Sequence, residues 1–300
     1  MTTTSPVWEP GEKTHRDENF PVASHLVAKR HRPTVLAFYR FARAADDVAD
    51  HPQLSESEKI RRLDLFEETL LGRSDSIADA IPLREAIAER GLTPKHAQDL
   101  LIAFRIDASK HRYTDWDDLI HYCTYSAMPV GRFVLDVHGE SRSTWPANDA
   151  LCAALQIINH LQDCGADYRR LDRIYIPLDV LGAKGVPVEA LAAPKSSPEL
   201  LACIHEVASK TKTLLGEAKL ARCIRDLRLG LEVAAIERLA ARLVHMLLER
   251  DPLSQRVHLT KSQFAALLMT AACAHLGQRV FSRAAHSVQA VGGADGQPSH

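Results

Sequence analysis

Pro33-Thr34-Val35-Leu36-Ala37-Phe38-Tyr39-Arg40-Phe41-Ala42-Arg43-Ala44-Ala45-Asp46-Asp47-Val48-Ala49-Asp50 is the stretch whose reading decides the fold class. Val35, Phe38, Tyr39 and Ala42 stand at i, i+3, i+4 and i+7, the spacing of one face of an α-helix. The same period recurs along the chain, separated by short Pro, Gly and Ser breaks, and alternating strand-like runs are scarce. Helices are expected over 33–50, 56–71, 79–90, 94–110, 115–137, 148–170, 197–221, 227–249 and 261–284. Thr93-Pro94 and Thr114-Asp115-Trp116-Asp117 read as helix starts, Gly72 and Gly91 as stops. The expectation is an all-α chain with one domain over residues 15–284. Residues 1–14 and 285–300, small, polar and Gly-rich, read as flexible ends.

Composition excludes more than it selects. The 300 residues are 46% hydrophobic and 25% charged, ordinary for a globular protein and enough to enclose a sizeable cavity. With 37 Lys+Arg against 38 Asp+Glu there is no global charge to attract nucleic acid. The clusters Lys29-Arg30-His31-Arg32 and Arg169-Arg170 are too short to change that. Cys123, Cys152, Cys164, Cys203, Cys223 and Cys273 show neither a C-x-x-C pair nor zinc spacing, so they read as reduced, buried core residues of a cytoplasmic protein. The histidines show no metal-ligand spacing, and most read as surface or helix-end residues; His160 neighbours the Gln156 and Asn159 stripe but is turned about 100° from Asn159. Met1 to Gly11 holds no basic region followed by an apolar run, so no signal peptide is expected. The uncharged stretch Ser262 to Gln278 is shorter than the ~20 residues that span a bilayer and reads as a buried helix. The cluster Gly292-Gly293-Ala294-Asp295-Gly296 follows no strand and is no nucleotide fingerprint.

Two acidic patterns carry the chemistry. A helical period puts Asp46 and Asp50 on one face, about 6 Å apart along the axis, with Tyr39 and Arg43 close to that face. Gln156, Asn159, Asp163 and Asp167 lie within roughly 60° of one line along their own helix. A solvated surface stripe is the ordinary reading of either pair alone. Both, however, follow apolar runs, Val35 to Tyr39 and Leu155 to Ile158, and are expected to face the core. Carboxylates gathered there repel at about 4 kcal/mol per pair at 4 Å and an effective dielectric of 20. A bound cation relieves that repulsion. Oxygen ligands suit Mg²⁺, which is held by one or two carboxylates together with substrate phosphate oxygens. The chemistry that follows is metal-assisted departure of diphosphate, with the resulting carbocation sheltered in a dry, aromatic-lined cavity.

In these residues the chain resembles the squalene and phytoene synthase family of head-to-head prenyltransferases. Asp46-Asp47-Val48-Ala49-Asp50, with Tyr39 and Arg43, matches its first aspartate-rich motif. Gln156-x-x-Asn159-x-x-Gln162-Asp163-x-x-x-Asp167, followed by Arg173-Ile174-Tyr175-Ile176-Pro177, matches the second. Tyr122-Cys123-x-x-Ser126-Ala127-Met128-Pro129-Val130-Gly131 approximates a cavity-lining third. The resemblance implies a helical bundle of the isoprenoid-synthase type around a central cavity. It also implies that Asp46, Asp50, Asp163 and Asp167 hold Mg²⁺, that Arg43 binds diphosphate, and that Tyr39, Tyr122, Ser126, Gln156 and Asn159 face the substrate. Tyr122 joins Asp46 and Asp163 as an expected catalytic residue; Arg173 and Tyr175 are assigned to substrate contact.

Two departures refine the expectation. Gln162 stands where many members have Arg, removing a cation beside the leaving group. Met128-Pro129 places a proline within the third motif, where it kinks the helix and frees the carbonyl of Tyr125 to orient a water molecule. With Glu18-Asn19-Phe20-Pro21-Val22-Ala23-Ser24, this resembles the bacterial branch that ionises presqualene diphosphate and captures the rearranged cation with water, for squalene and hopanoid supply. Such an enzyme would be coupled to a presqualene diphosphate synthase and a squalene-forming reductase. Its oily substrate argues for peripheral contact with the inner face of the membrane. The alternatives are head-to-head condensation of two allylic diphosphates, and a non-catalytic assembly protein of the same fold.

Overall fold

In the computed structural model the described residues are 28–260, with 262, 263, 266, 267 and 270 beyond them. The expected helix over 261–284, the motif Glu18 to Ser24, Cys273, the glycine cluster at 292–296 and both expected flexible ends lie wholly or mainly outside these residues.

Among the described residues are eleven α-helices: α1 Arg32–Ala49, α2 Glu56–Leu70, α3 Ile81–Arg90, α4 Lys95–Asp107, α5 Trp116–Ser126, α6 Met128–Val137, α7 Trp145–Leu171, α8 Leu178–Ala183, α9 Pro198–Glu217, α10 Leu220–Cys223 and α11 Leu227–Leu247. Three-residue and five-residue 3-10 turns precede α7 and α9, at Arg142–Thr144 and Val188–Ala192. The all-α expectation holds, and the only strand-like pairing among these residues is one parallel bridge, Arg112 to Ile174.

Local chemistry accounts for most boundaries. Ser55, Asp115, Ser197 and Asp226 cap α2, α5, α9 and α11 through side chains that accept from backbone N–H groups of the first turn. Gly91 closes α3 with φ 62°, a left-handed conformation that glycine adopts without steric penalty. The expected helix 115–137 is in fact two. Ala127, at φ −125° and ψ −48°, breaks it, and Pro129 opens α6 near its first position, where a missing N–H costs no internal bond. The structure therefore replaces the expected kink by a full break. The expected helix 197–221 is likewise divided, by the turn Ala218–Lys219.

Three apolar clusters surround the site. Phe38, Phe41 and Ala45 of α1 pack with Leu63 and Phe66 of α2, Leu83 of α3 and Leu101 of α4, and Phe133 of α6 stacks on Phe38 at 4.0 Å. Each such ring or leucine, removed from water, contributes about 1.5–3 kcal/mol. A second cluster joins α5, α7, α8, α9 and α11 through Leu119, Ile157, Ile158, Leu181, Ile204 and Leu243. A third joins Leu151 of α7 to Leu220 and Ile224 around α10 and to Leu229 and Val233 of α11. Their members meet without filling the space between them. Phe38 and Leu100, Tyr122, and Leu151, Leu220 and Leu229 all line one cavity of about 460 Å³.

Cys123, Cys164 and Cys203 are buried as expected, whereas Cys223 is exposed at the end of the one-turn α10. Every cysteine among the described residues is free. No helix among them is long and apolar enough to cross a membrane.

Candidate active site

Helix α1 delivers the first acidic pair to the cavity. Its buried residues Val35, Phe38, Phe41 and Ala45 fix the helix against α2, α3 and α4, and the adjoining stripe of Tyr39, Arg43 and Asp46 faces the cavity. Arg43 Nη1 donates to Asp46 Oδ2 at 2.6 Å, and Nη2 reaches Asp47 Oδ1 at 3.2 Å. The acidic pair thus has an offsetting cation one turn before it, not four residues after it. Asp46 lies deep in the molecule, yet 34% of its side chain is accessible, because it opens on the cavity. Burial raises its pKa to about 7; Asp50 adds to the rise, and Arg43 opposes it.

Asp50, at the C-terminus of α1, does not line the cavity. Arg173 Nη1 holds its Oδ1 at 2.6 Å, and Arg173 Nη2 donates to the backbone carbonyl of Asp107 at 3.1 Å. Only 8% of the Arg173 side chain is accessible. Burial opposes its charge, but Asp107 and Asp50 outweigh burial and hold its pKa up. The bridge Arg112 to Ile174 fixes the backbone that follows this arginine, with Ile174 N–H donating to His111 O and Leu178 N–H to Tyr113 O. Arg173 is therefore spent on two carboxyl-bearing helix ends, and Tyr175 on aromatic packing. Neither belongs to the cavity lining.

Asp107 is the residue that the sequence did not reveal. It ends α4 without any acidic neighbour at helical spacing, yet it lines the cavity and accepts the Tyr122 hydroxyl at 3.0 Å. Its second oxygen is buried with no hydrogen-bond partner. Burial raises its pKa to about 7, against the lowering effects of Arg173 and the Tyr122 hydrogen bond. Burial likewise raises the pKa of Tyr122, with Asp107 adding.

Helix α7 contributes Gln156 to the cavity, but not Asn159, Asp163 or Asp167. Gln156 Nε2 lies 3.1 Å from His160 Nε2, and the His160 ring stacks on Tyr175, which in turn stacks on Tyr113 at 5.5 Å. His160 thus stands behind the Gln156 side chain and against Tyr175; burial lowers its pKa to about 3 and keeps it neutral. His31 and His96 are buried as well. Asp163 is exposed, and Asp167 is partly buried. Of the two stripes expected to face the core, Asp46 and Gln156 line the cavity, Asp50 and Asp167 are partly buried outside its lining, and Asp163 is exposed. On the opposite side of α7, Gly165 packs so closely on Leu253 and the Leu191 carbonyl that a Cβ would stand 2.5 Å and 3.3 Å from them. That contact buries one face of the helix and turns Asp163 outward. Gln162 belongs to the buried side, where its amide donates to the Val257 carbonyl.

No three His, Cys, Asp or Glu side chains among the described residues converge to hold a metal ion by themselves. The donor set nevertheless fits Mg²⁺ brought with a diphosphate, since that ion keeps waters and phosphate oxygens and asks the protein for one or two carboxylates. Asp46, a raised carboxylate at the cavity mouth, has the character such an ion relieves.

The squalene/phytoene synthase family model matches residues 13–263. A protein of Rhodopseudomonas palustris named hydroxysqualene synthase is 57% identical over 272 residues, covering 90% of this chain and 93% of that one. Another of the same name, from Sinorhizobium fredii, is 52% identical with 90% and 92% covered. Among solved structures, the squalene synthase HpnC of Alicyclobacillus acidocaldarius superposes with a TM-score of 0.68 at 28% identity, over 76% of this chain and 87% of that one. A dehydrosqualene synthase shares the fold, with a TM-score of 0.73 at 21% identity over 87% and 92%.

Proposed function

Because this chain belongs to the squalene/phytoene synthase family, we propose that it ionises presqualene diphosphate with Mg²⁺ and captures the rearranged cation with water, releasing hydroxysqualene and diphosphate. The observation that carries this reading is the cavity of about 460 Å³, apolar along most of its wall and acidic where Asp46 and Asp107 meet it. The name shared by relatives at 50–57% identity supports the choice of reaction within the family.

Arg43 and the first aspartate pair bind and orient the diphosphate end, with Asp163 and Asp167 assigned to the same task from the α7 side. Mg²⁺, when bound, supplies stabilisation of the charge developing on the departing diphosphate. Phe38, Phe104 and Leu155 exclude water from the apolar part, and Tyr39 and Tyr122 offer aromatic faces that stabilise positive charge without attacking it. Asp107 fixes the orientation of Tyr122 by accepting its hydroxyl hydrogen at 3.0 Å. The substrate must come from an enzyme that joins two allylic diphosphates, and the alcohol must pass to a reductase that removes its hydroxyl.

Substrate and product are both oily, and a largely basic surface recess supports a peripheral site on an anionic membrane. Exposed Lys29, Arg30 and Arg228 share a recess of about 440 Å³ with Leu227, which is 44% exposed. Salt-sensitive flotation with phosphatidylglycerol vesicles, absent with neutral ones, is the expected result for a cytoplasmic protein docked in this way. Turnover is tested by supplying presqualene diphosphate and Mg²⁺ with and without NADPH and identifying products by mass. Hydroxysqualene in both samples is expected. Intact presqualene diphosphate, together with condensation of farnesyl diphosphate supplied alone, would move the protein to the condensing branch.

A further inference from the structure

Ser126 stands at the last position of α5, where the helix breaks, and its side chain lines the cavity. Its hydroxyl oxygen is buried and has no hydrogen-bond partner. That is costly, because a buried hydroxyl without a partner has given up its hydration for nothing in return. The hydroxyl and amide groups of Tyr122, Asn148 and Gln156 on this wall are engaged. Tyr122 donates to Asp107, Asn148 Nδ2 donates to the Met128 carbonyl at 3.2 Å, and Gln156 pairs with His160.

The backbone next to Ser126 is short of partners as well. Pro129 has no N–H to offer the carbonyl of Tyr125. Val130 N–H, which a continuous helix would direct to the Ser126 carbonyl, donates to Ala127 O at 3.1 Å instead. Among the described residues, no backbone hydrogen bond crossing the break ends on the carbonyl of Tyr125 or Ser126. Val130 and Gly131, just after the break, line the same cavity. This point of the wall therefore combines a hydroxyl with unused capacity and, next to it in the chain, two backbone carbonyls that no hydrogen bond across the break engages. A buried water needs two to four polar partners, and such a place supplies them.

We infer that Ser126 Oγ, with the backbone carbonyls at the α5–α6 break, holds the water molecule that captures the carbocation, and so decides that the product is an alcohol. The inference rests on the proposed reaction and deepens it. In the capture step the water oxygen gives an electron pair to the cationic carbon, forming the C–O bond. The resulting oxonium loses one proton, which the released diphosphate takes up, so that substrate and water balance against alcohol and hydrogen diphosphate. No oxidant or reductant is needed. Ser126 is not required to titrate: its oxygen accepts from the water or its hydrogen donates to it, and the water's remaining lone pair faces the cation.

The test supplies presqualene diphosphate and Mg²⁺ to the full chain in ¹⁸O-labelled water and reads labelled alcohol formed per diphosphate released. That ratio is independent of how fast ionisation runs. Ser126→Ala is expected to lower it about tenfold, with deprotonated polyenes making up the difference. Ser126→Thr, which keeps the hydroxyl, is expected to restore most of it, whereas Ser126→Val, of similar shape to Thr, is not. An unchanged ratio in Ser126→Ala, or equal ratios for the Thr and Val variants, overturns the inference alone. Wild-type protein that releases no diphosphate overturns the functional reading beneath it.

Discussion

At the scale of single residues, the acidic site is a matter of which carboxylates have counter-charges. Asp46 has Arg43, Asp50 and Asp107 share Arg173, and burial nevertheless raises the pKa of Asp107 to about 7. Replacing Asp46 by Asn removes the carboxylate that best fits the metal, and diphosphate release should fall by about two to three orders of magnitude. Single-turnover measurement at saturating Mg²⁺ checks this, and retention of most of the rate would remove Asp46 from the site. Arg173 makes a different prediction. Arg173→Met leaves Asp50 and Asp107 without their shared cation and should cost about 2 kcal/mol of stability, less than a fully buried pair because Asp50 is 36% exposed. Arg173→Lys keeps the charge but has no planar fork to span both partners, and should recover only part of the loss in urea denaturation. For Asp107 the folded pKa of about 7 exceeds the unfolded value of ~3.9. Between those values the folded chain keeps a proton that the unfolded chain has lost, so this group's contribution to stability falls as pH rises through the window. In metal-free buffer the Tm of Asp107→Asn, relative to wild type, should therefore climb between about pH 4 and pH 7 and level off above it. A difference that stays flat with pH would falsify the assignment of a raised pKa.

At the scale of elements, the decisive features are where helices stop and how closely they approach. α6 lies against α7 at Gly131, where an added Cβ would overlap the Asn148 side chain and stand 2.7 Å from Cys152 Sγ. Asn148 in turn reaches back to the Met128 carbonyl at the break. Gly131→Ala should therefore cost about 1–3 kcal/mol and disturb the cavity wall as well, seen as a lowered Tm with loss of turnover. A stable, active Gly131→Ala variant would mean that the two helices separate more easily than their packing implies. The spacing of apolar residues identified nearly every long helix to within a few residues, because burial of one face enforces the period along the whole element. It merged α5 with α6 and α9 with α10, since periodicity runs through a break that preserves the buried face. It missed α8 and the two 3-10 turns, which are too short to show a period. Pro129 did signal the interruption, but a proline near the start of a new helix and one kinking a continuous helix look alike in sequence.

At the scale of the whole molecule, three apolar clusters enclose a cavity that no single helix determines. The carboxylates at its mouth do not form a cage for a metal ion, so metal and diphosphate should bind as linked partners. Mg²⁺ alone is expected to leave the Tm nearly unchanged, whereas Mg²⁺ with inorganic diphosphate should raise it well beyond the sum of the two separate shifts. Chelation should abolish turnover reversibly without unfolding the protein. A large Tm increase with Mg²⁺ alone would show that the chain forms a metal cage without substrate.

The sequence by itself determined the all-α class, the helical phase of Asp46 with Asp50 and of Asp163 with Asp167, and the family to which these motifs belong. All of these are properties of spacing along one helix, and spacing is read directly from residue order. Tertiary structure alone decided which of those carboxylates meet the cavity, because a helix's environment depends on neighbours that are distant in sequence. It turned Asp163 outward through the packing of Gly165, brought Asp107 from the end of α4 to the hydroxyl of Tyr122, and set Arg173 between two helix ends. The aspartate stripes were legible because each is local, whereas the site that uses them is assembled from seven helices and the strand-like bridge beside Arg173.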